Sequence, residues 1–327
     1  MADSTSSPRA VLVGIDEAGF GPILGPLVVS SSAFRVADNL VWADLWAILS
    51  RSVSKKRTGL TGRLLIADSK KAFSRTVGIG HLRRTVLAAL KYSGNEPASA
   101  ADLAKALCPD CLEHLREYPW YKNIDEYELG VNIADIAVAA AMLKNDLAGQ
   151  HIEFLGLKSR CLEVAYYNRM INAVKNKAKV LFSAVSQLMQ AAMEEFKDEN
   201  LEIVVDRQGG RSHYRRELQL MFGQMELGII KEDNLRSSYK LTSGQRSVRV
   251  HFIVGADDKY LPVALASMAC KYIREVLVDN INRYFISLNS QLRPTAGYWK
   301  DGLRFIKDLK THIPAVSFDS NQLIRLR

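Results

Sequence analysis

Long apolar runs are what this 327-residue chain most clearly lacks. No stretch of about eighteen uncharged apolar residues occurs, so no membrane span is expected. The N-terminal MADSTSSPRA has no apolar segment of the kind a secretory signal carries, and residues 1–9 read as a short disordered tail. Cysteine is scarce: Cys108, Cys111, Cys161 and Cys270 are the only four, too few for a disulfide framework. Together with the missing signal, that favours a reducing, cytoplasmic setting. A G-x-x-x-x-G-K-[ST] nucleotide loop is absent, and no Ser-His-Asp or reactive-cysteine arrangement stands out. Acidic residues are outnumbered, 35 against 44 basic, which gives a net charge of +9 and a pI near 9.3. That balance favours an anionic partner, with nucleic acid the first candidate. A hydrophobic content of 48% supports a sizeable core. Length alone allows one large domain or two ordinary ones.

The most informative stretch is LVGIDEAGFGPILGPLVVSSSAF, residues 12–34. Two apolar runs flank a connection rich in Gly and Pro, which reads as a pair of strands. Asp16 and Glu17 then fall at the end of a buried strand. Burying charge there is costly unless a divalent cation or another group compensates it. Successive strand residues face opposite ways, so only one of the two acids is bound to face a given site. A hairpin with both acids solvated at its tip is the alternative.

Further along, residues 37–51 place Leu40, Trp42, Leu45, Trp46 and Leu49 at helical spacing, with the tryptophans read as core. LLIADSKKAFS (64–74) is an apolar strand that ends in Asp68, Ser69, Lys70 and Lys71, where Asp and Ser suit a helix N-cap. Residues 78–150 read as a mainly helical insertion. Its segment EYPWYKNIDEYEL offers aromatics either for packing helices together, the favoured reading, or for stacking on bases. CPDCLEH places Cys108, Cys111 and His114 at ligand-like spacing, and Cys161 is the remote candidate for a fourth zinc ligand. Ordinary apolar cysteines in a helical turn are the simpler reading. Residues 151–164 read as a strand and 165–197 as one long helix. In LEIVVDRQGGRSHY (201–214) a strand ends in Asp206, then Gly209 and Gly210 turn into a basic helix. Residues 227–254 read as two strands around a polar loop. GADDKYLPVALASMACKYIRE (255–275) puts Asp257 ahead of a helix whose Ala and Ser residues allow close approach to a sheet.

Taken together, GIDEAGFGPILGPLVV, the DSKK segment, the strand ending in Asp206, the Ala256-Asp257…Ala266-Ser267…Lys271…Arg274-Glu275 series and the Gly297-Tyr298 segment resemble the type II ribonucleases H, ribonuclease HII and its relatives. The resemblance covers perhaps half the chain in separated blocks and leaves 78–150 outside. It implies an α/β fold: a ribonuclease H-like mixed sheet with flanking helices, interrupted by the helical insertion and closed by a C-terminal helical segment, over residues 10–327. It implies that Asp16, Glu17, Asp206 and Asp257 are both catalytic residues and metal ligands. Gly19, Phe20, Gly21, Ser69, Lys70 and Tyr298 become the substrate-binding residues, with Asn168 a possible counterpart of a family asparagine. Four carboxylates suit two Mg²⁺ or Mn²⁺ ions about 3.5–4 Å apart, one activating water and one stabilising the leaving oxygen. The expected activity is hydrolysis of the RNA strand of RNA/DNA hybrids, or of ribonucleotides in duplex DNA. Two rival readings are a weak or inactive fold that only binds nucleic acid, and a nuclease for another structure such as branched DNA. Beside a conservative Glu275 for Asp and a longer RQGG turn after Asp206, one departure from the family matters, Gly19-Phe20-Gly21 in place of Gly-Arg-Gly. Phe20 cannot replace an arginine's charged contact, so runs of RNA are the expected substrate over a single embedded ribonucleotide. Oligomeric state is not encoded in any of these motifs; a monomer is the default.

Overall fold

The computed structural model describes residues 8–74, 76–314 and 318–326. Among these residues nine strands form in chain order: β1 (Arg9–Ala18), β2 (Leu27–Ala37), β3 (Val53–Ser54), β4 (Leu64–Leu65), β5 (Glu153–Leu162), β6 (Asn200–Asp206), β7 (Glu226–Glu232), β8 (Arg236–Ser243) and β9 (Arg246–Ile253). Among the described residues twelve α-helices accompany them: α1 (Leu45–Ile48), α2 (Ser69–Ala72), α3 (Gly80–Tyr92), α4 (Ala100–Leu107), α5 (Leu112–Arg116), α6 (Ile133–Gly149), α7 (Val164–Val174), α8 (Lys177–Glu195), α9 (Arg215–Met221), α10 (Leu261–Leu288), α11 (Trp299–His312) and α12 (Ser320–Leu323). Seven strands make one sheet in the order β5-β2-β1-β6-β9-β8-β7, while β3 and β4 pair separately. Within the sheet β1, β6 and β9 run parallel and every other pairing is antiparallel. A mixed sheet with flanking helices is therefore what the chain forms. Among the described residues no helix is long and apolar enough to cross a membrane.

Parallel central strands need both faces covered, and the alternation along β1 and β6 shows how. Leu12 and Val204 belong to the core shared with α10, α3 and α6, whereas Val11, Val13, Ile15, Leu201, Ile203 and Val205 pack on the core formed with α8. Each of these residues is essentially withdrawn from water, which is worth roughly 1.5–3 kcal/mol apiece. The 28-residue α10 lies hard against the hairpin. A Cβ on Gly14 would sit 2.3 Å from the Pro262 carbonyl carbon, so only glycine fits beneath the start of that helix. Ser32 Oγ on β2 donates to the Pro262 carbonyl at 2.7 Å and fixes the same contact.

Several sequence expectations change here. Residues 37–51 form only a 3₁₀ turn and the single turn α1, since Asp44 caps at position 44 and interrupts any longer helix. Trp46 is core, donating its indole N–H to the Ile66 carbonyl at 2.7 Å, but Trp42 is 44% exposed under the Arg236 guanidinium. The helix expected over 165–197 is two helices. Lys175 takes a left-handed conformation (φ 49°), and Asn176 starts α8 by accepting from the Ala178 and Lys179 amides. Residues 227–254 hold three strands: β8 was hidden because RSSYKLTS has few apolar residues. Residues 78–150 are mainly helical as expected, and Tyr118, Trp120 and Tyr121 pack on one another and on Tyr284 and Phe285, in favour of packing over base stacking. Of the proposed tail, residues 1–7 lie outside the described residues, and Arg9 already pairs with Ala37 in β1.

Candidate active site

The carboxyl ends of the three parallel strands build the site. Register pairs Ile15 of β1 with Val205 of β6, so Asp16 and Asp206 are the next residue on each. Asp206 in turn lies beside Ile253 of β9. The chain then turns at Gly255 (φ 61°) into a 3₁₀ turn, Ala256–Asp258, that carries Asp257. One parallel register thus delivers three acids from positions 16, 206 and 257. Strand alternation would turn Glu17 away from Asp16, yet at the strand end its carboxyl still feels Asp206, Asp257 and Lys70, and its backbone N–H donates to Asp16 Oδ1 at 2.7 Å. The Ala256 N–H donates to Asp206 Oδ1 at 2.7 Å and ties the third acid to the turn of the fourth.

These carboxyls repel one another in a site of low polarity. Burial pushes Asp16 well above the ordinary range; Glu17, Asp206 and Asp257 push the same way, against a hydrogen bond from Ser267. Burial raises Glu17 to about 7, aided by Asp206 and opposed by Lys70. Asp257 also reaches about 7 through burial, the charge of Asp206, and the charge and shared hydrogen bond of Asp68. Asp206 is raised by burial despite the Ala256 N–H and Lys70. On Lys70 burial works downward, yet Asp68, Asp257, Asp16 and Asp206 together hold its ammonium above the usual value.

Lys70 and Ser69 reach the acids through α2. Asp68 caps this single turn, accepting from the Lys70 amide at 2.9 Å. Ser267 Oγ on α10 lies 3.1 Å from Ser69 Oγ, and that hydroxyl pair bridges the DSKK segment to Asp16. Lys70 and Tyr298 line one cavity of about 550 Å³, together with Phe73, Lys271, Glu275 and Thr295. Tyr298 is half exposed, with the buried Arg274 guanidinium 5.7 Å from its ring.

The glycine-rich connection is held from beneath. Gly19 needs its positive φ of 95°, and a Cβ there would meet the Pro26 carbonyl oxygen at 2.6 Å and Arg274 at 2.8 Å. Arg274 donates to the Leu24 and Ala296 carbonyls, and Arg325 donates to the Gly19 and Pro22 carbonyls. Gly21 is exposed with open space around it. Phe20 turns aside, its ring 4.8 Å from Lys177 Nζ and against Gly209, and does not line the cavity with Lys70 and Tyr298.

Three contributors escaped the sequence reading in this role. Asp68 was read as an N-cap, although it ends an apolar run just as Asp206 does. Ser267 looks like one more small packing residue in its helix. Arg325 carried no local signal. Asn168 serves elsewhere: its amide donates to the Asn321 and Ile324 carbonyls and accepts from the Leu326 N–H, latching α7 to the C-terminal segment. Among the arginines after Asp206, Arg207 binds the Asp233 carbonyl and Ser237, and Arg211 pairs with Glu217.

Four carboxylates and a serine hydroxyl are hard oxygen donors, the set that suits Mg²⁺ or Mn²⁺ and not zinc. Their raised affinity for protons marks a deficit of positive charge. Among the described residues no three His, Cys, Asp or Glu side chains are already arranged to hold an ion. The match to a divalent cation is therefore one of donor chemistry and charge.

No protein-family model matches the chain, and no curated protein matches it. Solved structures do. RNase HII from Archaeoglobus fulgidus, in its complex with PCNA, is 18% identical over 97% of this chain and 94% of that one, with a TM-score of 0.45. Ribonuclease H2 from Pyrococcus horikoshii is 14% identical over 96% of this chain and 92% of that one, at 0.40. Bst RNase HIII, solved with Mn²⁺, is 14% identical over 98% of this chain and 68% of that one, at 0.42. All three are ribonucleases H.

Proposed function

We propose that this protein is a metal-dependent endoribonuclease of the ribonuclease H type II kind, hydrolysing the RNA strand of RNA/DNA hybrids or ribonucleotides within duplex DNA. The observation that carries the reading is the convergence of Asp16, Glu17, Asp206 and Asp257, mutually repelling and faced by the Lys70 ammonium. Two divalent ions, when bound, would supply Lewis-acid activation of water and charge neutralisation at the leaving oxygen. Asp16, buried and held by the Glu17 N–H and Ser267, would be the fixed ligand of the set. Asp206 and Asp257, joined through the Ala256 amide, flank it. Glu17 and Asp257, with proton affinities raised to about 7, would hold a cation in place of their protons. Lys70 meets a substrate phosphate as a point charge. Ser69 holds the segment that carries Lys70 against α10. Tyr298 lays its ring on a sugar beside the scissile bond, and the amides of Gly19 and Gly21 face the ribose, where a 2′-hydroxyl separates RNA from DNA.

The test uses end-labelled duplexes incubated with Mg²⁺ and then Mn²⁺: an RNA/DNA hybrid, DNA with one ribonucleotide, and all-DNA, with Asp16→Asn in parallel. Cutting confined to ribose-containing strands and absent from the variant is the expected result. Because Phe20 points away from the cavity, the hybrid should be cut faster than the single ribonucleotide; the reverse order would remove that preference. Tight hybrid binding without cutting under either metal would replace the enzyme by a binding module, and cutting of branched all-DNA substrates would redirect it to another nuclease class.

A further inference from the structure

Away from the acids, three cysteines meet where the 78–150 helices join the sheet. Cys108 and Cys111 bracket the 3₁₀ turn between α4 and α5, and Cys161 comes from β5, fifty positions later, opposite Val28. All three are buried thiols. Cys111 Sγ lies 3.2 Å from Cys108 Sγ and is also hydrogen-bonded by Cys161. A cavity of about 310 Å³ opens beside them, bordered by His114, Arg160 and Glu163. Water and small solutes therefore have room next to the sulfurs.

The spacing argues against a zinc site. Sulfurs around one zinc at about 2.3 Å stand roughly 3.8 Å apart at the corners of a tetrahedron, wider than the observed pair. His114 also faces Glu117 at 3.5 Å. We infer that the cluster is an oxidation site at which Cys111 is the peroxide-reactive sulfur and Cys108 the resolving thiol. The Cys111 thiolate attacks one oxygen of a hydroperoxide. The O–O bond breaks, hydroxide or alkoxide leaves and takes up a proton, and Cys111 becomes a sulfenic acid. Cys108 then loses its proton and attacks that sulfur; the S–S bond forms, the S–O bond breaks and water departs. Two thiols are oxidised and one hydroperoxide is reduced. The hydrogen bonds Cys111 shares with Cys108 and Cys161 lower its thiol to about 5 and, with burial, raise theirs, so Cys111 is the one of the three that most readily becomes a thiolate. Cys270, fully buried in α10 with its thiol pushed up by burial, is the internal control.

The experiment exposes the full-length folded protein to hydrogen peroxide, quenches it, and maps all four cysteines by alkylation and peptide mass spectrometry. Cys111 should be consumed about tenfold or more faster than Cys270, giving a Cys108–Cys111 disulfide. In Cys108→Ser, dimedone should trap a sulfenic acid at Cys111. The four-way comparison within the wild-type chain stands even if that variant does not fold. Equal rates at Cys111 and Cys270, a Cys111–Cys161 bond, or stoichiometric zinc that must be stripped before any thiol reacts would each overturn the assignment.

Discussion

Glu202 and Asp206 lie four residues apart on β6, on the same face and largely withdrawn from water, yet their surroundings are opposite. Around Glu202 every charge is answered. Arg249, its cross-strand neighbour, pairs with one carboxylate oxygen, and His251 Nε2 lies 2.8 Å from the other. His251 Nδ1 meets Ser238 Oγ at 2.8 Å and Arg236 at 2.9 Å, and Arg236 is capped by the Trp42 ring. Around Asp206 four further acids, Asp16, Glu17, Asp68 and Asp257, share Lys70. A fold that can neutralise a buried carboxylate at position 202 leaves four unneutralised a turn of sheet away. The difference teaches where the chain neutralises its own buried charge and where it does not.

The comparison breaks most visibly at Asp16. Asp16→Asn should lower hybrid cleavage by about 10³-fold or more, since several kcal/mol of transition-state stabilisation depend on the ions. The same variant should melt higher without metal, because one member of a repelling set is gone. A variant that cuts normally would show the acids to be unconnected with chemistry. Next in size is Glu202→Gln, which strands Arg249 and His251. Urea unfolding should record a loss of about 3 kcal/mol, with turnover per folded molecule unchanged; lost turnover at intact stability would erase the distinction between the two groups.

A third prediction sharpens the contrast through pH. Glu17 and Asp257 bind protons more tightly folded than unfolded, near 7 against ordinary values of 4.5 and 3.8. The folded state then holds more protons between those limits, so stability falls as pH rises through about 7. Differential scanning of the metal-free protein should show it more stable at pH 6 than at pH 8, by on the order of 1–2 kcal/mol, with millimolar Mg²⁺ narrowing the gap. A flat profile would mean that the acids are compensated by protein groups after all. The smallest effect is expected from Lys70→Ala: weaker hybrid binding, and a plot of log affinity against log salt shallower by about one.

The β1–β2 hairpin was readable because alternation, glycine and proline coincide there. The acids ending β1 and β6 were readable because an acid closing an apolar run is conspicuous. What escaped was decided across space. The polar run RSSYKLTS became β8 by pairing between β7 and β9, with Tyr239 and Leu241 buried against the α8-side core. Lys175 ended a helix whose apolar periodicity continues through it. Arg325 finds Gly19 across 306 positions, and no window of sequence contains both. The outward turn of Phe20 likewise depends on Lys177 and Gly209, which nothing local to the loop announces.

Helix α10 acts like a camshaft. Ser267 serves the acids and the DSKK segment, while Arg274, seven positions on, serves the glycine-rich connection and Tyr298. Seven residues are almost two full turns and about 10 Å of rise, so both lobes point to the same side. One added residue between them would swing the second lobe by roughly 100° and break the timing. Length changes are therefore forbidden on this shaft, whatever freedom the surface loops enjoy.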